Sequence, residues 1–258
     1  TIAPRLEFWQ LQRGDLNLES YRTGVLDLGT GAGAQLSPEF ALYFTVGWQR
    51  RWIFDTVAAK DMTFGPDVAV VPPVSNRVFL RMNSQYTFNP SELRQDLRNF
   101  LSVELTGYRP TVSGDSGYLR IDLQGLRIFA LGWHELRLGA NLSGEVGNIW
   151  FVDEVPLADH LRIGFGLQKY SHGVASVSLE FRYSVLRDKV KLAVFNDTGV
   201  WQHLPRDPDR HAQLSGSSGA GLCLFLFDEL QLDAYYGVGW STDSAAKTGI
   251  ALAIKEAF

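Results

Sequence analysis

Apolar and polar side chains alternate with period two along most of this chain. Over 39–48, Phe40, Leu42, Phe44, Val46 and Trp48 share one face. The pattern recurs over 77–87, 101–108, 118–123 and 135–146. In the last of these, Leu136, Leu138, Ala140, Leu142 and Val146 oppose Glu135, Arg137, Asn141, Ser143 and Glu145. It continues over 161–168, 176–185, 190–197, 219–227, 230–240 and 248–258, with a poorer instance over 6–12. Successive side chains of a strand point to opposite faces, so these segments predict strands. Many strands at near-regular spacing predict a sandwich or a barrel.

Segment length separates the two. Several segments run 9–12 residues, the length of a tilted bilayer-crossing strand, whereas soluble strands cluster near ~5–6. Trp48, Trp52, Tyr86, Tyr108, Tyr170, Trp201 and Trp240 fall near segment ends, where the aromatic girdles of a membrane barrel lie. The last segment alternates through Leu252 and Ile254 to a terminal Phe258, which resembles the insertion signal of bacterial outer-membrane proteins. The expectation is an all-β fold: a closed antiparallel transmembrane β-barrel of about twelve strands, within a range of eight to twelve. Residues 1–258 form one domain, with 1–37 as an N-terminal plug or extension. Short turns such as Arg187-Asp188-Lys189 are expected in the periplasm and longer connections outside. Residues 89–101 read as a short amphipathic helix, with Leu93, Leu97, Phe100 and Leu101 on one face.

Composition narrows the function. The net charge is −4, which argues against a nucleic-acid partner. One cysteine, Cys223, excludes an intramolecular disulfide, and five scattered histidines predict no metal site. No cofactor is expected. The glycine-rich segment 24–34 (G-V-L-D-L-G-T-G-A-G-A) resembles the first motif of Rossmann-like methyltransferases, with Asp55 near the place of a ribose-binding acid. Such a fold needs crossover helices, and the following segment alternates as a strand, so 24–34 reads as a loop or plug. No G-x-S-x-G is present, and the histidines fall near segment ends. The chain is not expected to be an enzyme.

Seven acids take inward positions (Glu104, Asp122, Glu135, Glu145, Glu180, Asp197, Asp233), as do seven bases (Arg81, Arg120, Arg137, Arg162, Arg182, Lys191, Lys255). A selective pore carries a one-sided lining, whereas balanced charge suits a paired filling of a small barrel. Segment 220–227 is apolar on both faces: Leu222, Leu224 and Leu226 one way, Cys223, Phe225 and Phe227 the other. One face meets lipid. The other needs a plug segment such as 11–36, another subunit or lipid, so Leu222, Leu224, Leu226, Phe225 and Phe227 are candidate subunit or lipid contacts.

The last third carries a family likeness. Glu180-Phe181-Arg182-Tyr183, then V-K-L-A-V-F-N-D-T-G-V-W over 190–201, S-G-A-G-L over 218–222 and L-Q-L-D-A-Y over 230–235 resemble the closing strands of the bacterial surface antigen family. These are the BamA-like outer-membrane barrels that insert or export proteins. The most specific element is F-x-D-x-G: Phe195, Asp197 and Gly199. Family members have sixteen strands and periplasmic POTRA domains. The resemblance therefore implies a reduced member without POTRA domains. The V-R-G-[FY] motif of the family's lumen has only a degenerate echo in Arg162-Ile163-Gly164-Phe165. The expected role is a structural or porin-like outer-membrane component. It is expected to be an oligomer that encloses or organises lipid, with outer-membrane lipid, a homo-oligomer and the barrel assembly machinery as expected partners. The alternative is an accessory factor in outer-membrane protein assembly or secretion.

Overall fold

A computed structural model describes residues 2–13, 18–58, 73–88, 99–111, 117–163, 170–187, 189–202, 212–226, 230–242 and 244–256. Fourteen strands run in chain order: β1 (Ile2–Arg13), β2 (Leu18–Gln35), β3 (Phe40–Ala58), β4 (Val74–Phe88), β5 (Asn99–Pro110), β6 (Tyr118–Leu131), β7 (His134–Gly147), β8 (Val155–Pro156), β9 (Tyr170–Ser171), β10 (Gly173–Leu186), β11 (Val190–Gln202), β12 (Ala212–Leu226), β13 (Leu230–Ser241) and β14 (Ser244–Glu256). Twelve form one antiparallel sheet in chain order, β1 to β7 and then β10 to β14. The two-residue strands β8 and β9 pair separately. No described helix is long and apolar enough to cross a membrane, which leaves crossing by strands open.

The alternation read from the sequence sorts side chains by burial in an unusual sense. Along β11, Lys191, Ala193, Phe195, Asp197 and Gly199 are buried, while Leu192, Val194 and Val200 are exposed. Along β13, Gln231, Asp233 and Tyr235 are buried and Tyr236 and Val238 are exposed. Leu252 and Ile254 on β14 are each 72% exposed, whereas Glu135, Arg77 and Asp233 are at 0%. Water-soluble domains bury the apolar face and expose the charged one. Here the polar face is buried and the apolar face exposed.

The chain divides into two compact units. One comprises Thr1–Ser84, Val103–Asp122 and Gly144–Glu154; the other comprises Gln85–Ser102, Leu123–Ser143 and Val155–Phe258. In the first, β2 pairs with both β1 and β3, and its glycines allow a close approach. A Cβ at Gly47 would lie 2.5 Å from both the Leu28 carbonyl and the Phe79 ring. In the second, β10 to β14 form an unbroken antiparallel meander. Gly219 stands opposite Gly237 there, and a Cβ at Gly219 would fall 2.2 Å from the Tyr236 carbonyl oxygen. Backbone cannot move aside as a side-chain tip can. Gly219→Ala should therefore destabilise the fold by about 1–3 kcal/mol, the usual range for overpacking. A lowered thermal midpoint of the folded form would register this, and an unchanged one would refute it.

Four expectations require correction or a limit. Residues 1–37 are not a plug: 2–13 and 18–35 are β1 and β2 of the sheet. Glycines at the inward positions 29, 31 and 33 face only the small outward residues Thr30, Ala32 and Ala34, so the alternation of β2 is faint and resembles a loop. The segment 161–168 is not a strand over its described part. Leu161, Arg162 and Ile163 follow a short 3-10 helix, Leu157–His160, on the polar face of the sheet. Their alternation reflects packing into that face, which also sorts side chains in pairs. The expected helix over 89–101 lies outside the described residues up to 98, and Asn99–Pro110 is strand. Phe227 and Phe258 lie outside the described residues.

Candidate functional site

Two charged clusters occupy the polar face, one in each unit, and each is organised by the connection between β7 and β10. The chain leaves β7 at Gly147, whose φ of +134° lies where a side chain would be strained. It then turns inward over 150–154, where Trp150, Phe151, Asp153 and Glu154 are all buried. Phe151 meets Tyr21 edge to face at 5.4 Å.

Asp153 is the hub of the first cluster. Arg77 on β4 grips it with two parallel hydrogen bonds, 3.0 and 2.9 Å. Arg51 on β3 pairs with it at 3.0 Å and donates to the Val152 carbonyl at 2.5 Å. The Tyr118 hydroxyl donates to the same carboxylate at 3.1 Å. The Arg77 guanidinium also lies over the rings of Tyr108 and Tyr118, at 5.1 and 5.4 Å. Burial by itself would raise the Asp153 carboxyl pKa; the guanidiniums of Arg51 and Arg77 outweigh it and hold it below the usual carboxylate value. Nearby, Arg120 pairs with Asp122 at 2.7 Å and with Glu145 at 3.4 Å.

Arg162 is the hub of the second cluster. Its guanidinium lies over the rings of Phe195 and Tyr235, at 4.4 and 4.5 Å. Its edges reach Glu180 at 3.2 Å, Asp197 at 3.7 Å and the Ser178 hydroxyl at 3.2 Å. Asp197 also accepts from the Arg162 backbone N–H at 2.9 Å, from Ser178 at 2.6 Å and from Ser217 at 3.0 Å. Ile163 donates its N–H to Ser217 and joins an apolar cluster with Ala193, Phe195, Cys223 and Tyr235. Deeper still, Arg182 pairs with Glu180 at 2.8 Å and Asp233 at 3.2 Å and donates to the Tyr235 hydroxyl, which donates onward to Glu180. Lys191 pairs with Glu135, which also holds Arg137.

The structure brings Phe195 and Asp197 together with Arg162, and Gly199 lies on the same face beside Leu157, 3.7 Å from where its Cβ would stand. Leu222 and Leu226 are exposed on the opposite face, with Leu224 between them half-buried. Phe225 is corrected: it is partly buried against the Ile163 cluster, with Lys191 over its ring at 4.8 Å, and is no outer contact. Among the described residues, Cys223 and Phe225 on the inner face of β12 belong to or pack against the cluster that contains Ile163. Leu252 and Ile254 are exposed on β14. Sequence reasoning missed Arg51, Arg77 and Asp153. Arg77 opens an alternating segment on its inward parity, and that was the available signal. Asp153 lies in a connection where no periodicity assigns a face. Among the described residues, no group of three or more His, Cys, Asp or Glu side chains is arranged to hold a metal. The clusters consist largely of paired charges, and what they do chemically is to fasten the 148–163 connection to the sheet.

No family model matches the chain, and no curated protein matches it. Solved structures do. BamA from Haemophilus ducreyi lacking POTRA domains 1–3 superposes with a TM-score of 0.62 at 9% identity, over 91% of this chain and 55% of that one. CdiB from Acinetobacter baumannii superposes with a TM-score of 0.58 at 14% identity, over 90% of this chain and 42% of that one. The chain therefore spans about half the length of the structures it matches. The likeness to BamA-like outer-membrane barrels read from the closing strands is present in the fold, across nine-tenths of the chain.

Proposed function

We propose that this chain is an integral outer-membrane β-barrel, its sheet closed on itself. Its role is structural or porin-like, as a homo-oligomer that encloses or organises lipid. The observation that carries this reading is the inversion of the sheet. Its exposed positions are apolar along strand after strand, and its buried face carries paired charges. An apolar face of that extent needs a bilayer or another subunit against it. The charge pairs and the inward connection occupy the polar face, so a single subunit is read as conducting little. If space between subunits matters, its walls are apolar outer faces, and an apolar enclosure favours lipid over water. The reading is of a non-enzymatic component, assembled by the barrel assembly machinery.

The full chain, purified in detergent, should run with heat-modifiable gel mobility. Its native mass should be a multiple of the subunit mass, with lipid extractable from the particle. Solubility without detergent would end the membrane reading. A lipid-free monomer with large, steady conductance would replace the oligomer with a single-barrel pore. The second reading, an accessory factor in protein assembly or secretion, draws support from the fold shared with BamA and CdiB.

A further inference from the structure

The outward positions of β6, β7 and β10 contain one side chain that is charged at pH 7. On β6 they are Leu119, Ile121, Leu123, Gly125, Arg127, Phe129 and Leu131; β7 and β10 contribute none that is Asp, Glu, Lys or Arg. Arg127 is exposed and is the charged residue among these outward positions. A cation on the lipid face of a barrel is costly at the bilayer midplane, and the cost fades towards the headgroups. The long side chain of Arg127 reaches toward the end of its strand. Its guanidinium lies 4.9 Å from the ring of Phe88, the last residue of β4, and 5.5 Å from that of Phe129.

A second guanidinium occupies the same end of the sheet. Arg187 follows β10 in the connection to β11 and lies over the Trp133 ring at 3.6 Å. Trp133 is held in the two-residue turn between β6 and β7, made possible by Gly132 at φ +66°. Beside it, His134 stacks on Tyr183 at 4.5 Å. Strands β7 and β10 are sheet neighbours, so the connection before β7 and the one after β10 lie at one end.

Stacking uses the face of a guanidinium and leaves its in-plane N–H donors free. Among the described residues, neither Arg127 nor Arg187 has a hydrogen bond or ion pair to a carboxylate. A planar fork of donors at the ends of the strands, with no carboxylate against it among the described residues, matches a phosphate. We propose that Arg127 and Arg187, each set against an aromatic ring, bind the phosphates of anionic phospholipid headgroups in the leaflet that meets the short-turn end of the sheet. The site rests on the membrane reading above and not on the oligomer.

The full chain and an Arg127→Gln/Arg187→Gln variant would be compared in detergent by native mass spectrometry. The probes are phosphatidylglycerol and phosphatidylcholine with matched acyl chains. The wild-type chain should retain phosphatidylglycerol in preference. The variant should lose that preference by about fivefold for each arginine removed, the usual contribution of one cation near an anionic surface. Arg22→Gln serves as a control: Arg22 is also exposed but is paired with Asp55 on another part of the sheet, and its removal should leave the preference unchanged. An Arg127→Lys/Arg187→Lys variant, which keeps the charge and loses the fork, should fall between. Equal loss in the Arg22 variant, no loss in the double glutamine variant, or no preference in the wild type would overturn the proposal. So would displacement of the lipid by millimolar inorganic phosphate, which would mark a site for soluble phosphate. Heat-modifiable mobility of the wild type separately reports whether the membrane reading stands.

Discussion

Asp153→Ala should destabilise this protein more than any other single change on its polar face. The substitution leaves Arg77, whose side chain is fully buried, and Arg51, nearly so, facing each other without an anion. Breaking a buried pair from one side costs about 3–5 kcal/mol, because the remaining charge stays desolvated. The expected result is a lower midpoint in urea or heat for the folded, fast-migrating form. Removing both partners at once should cost less than the single change: Asp153→Leu combined with Arg77→Met should recover a substantial part of the loss. A double variant as unstable as the sum of its parts would show that the pair is not coupled. The same carboxylate sets an acid limit. Its pKa is lower folded than unfolded, so its contribution is complete above the unfolded value of about 3.9 and is lost as pH falls through the folded value. The Asp153→Ala penalty should therefore be constant from pH 8 to pH 5 and shrink only below about pH 4. A penalty that fades already near neutrality would argue against this assignment.

Asp197→Ala is expected to produce the second largest effect, and it tests the other cluster. The carboxylate takes hydrogen bonds at both oxygens, from Ser178, Ser217 and the Arg162 backbone N–H, and faces the Arg162 guanidinium. The backbone N–H cannot turn to another acceptor, so alanine leaves a part-buried donor unsatisfied as well as a cation short of a partner. A loss on the order of 3 kcal/mol follows from those two terms together. Asp197→Asn should recover part of it. Its amide oxygen can accept from the Arg162 N–H, while the Ser178 hydroxyl rotates to accept from the amide nitrogen. Because Asp197 anchors the 155–163 segment to the sheet, the alanine variant should also become a better substrate for limited proteolysis in that segment. An unchanged midpoint together with unchanged protease resistance would remove Asp197 from this role.

Both predictions concern residues whose faces were legible to different degrees. Asp197 has polar neighbours on both sides, Asn196 and Thr198, but shares the parity of Lys191 in the same strand, and its burial follows from that parity. Asp153 has no such parity, because the connection it lies in has no period. Arg162 sits between these cases. Its alternation with Leu161 and Ile163 was visible, but it was read as a strand, whereas the segment packs on the sheet without joining it. The agreement at twelve strands in the main sheet came from two compensating errors. The segment 161–168 was counted and β2 was not: Gly29, Gly31 and Gly33 hold its inward positions and Thr30, Ala32 and Ala34 its outward ones, so period two is faint just where close strand approach requires glycine.

What this sequence determines alone is therefore local and periodic. It sets most of the strand segments and which face of each carries charge, since period two needs no knowledge of neighbours. The likeness to BamA-like closing strands belongs to this level too, because it rests on residues within single strands. Tertiary structure decided the rest. Which charges meet depends on strand register and on where the 148–163 connection settles. Arg77 and Asp153 are 76 residues apart, and Arg182 and Asp233 are 51 apart. The side of β12 that needed an apolar cover was evident from the sequence. That Ile163 packs there was not, because pairing at such separations is fixed by packing and desolvation across the whole sheet, and no local pattern encodes it.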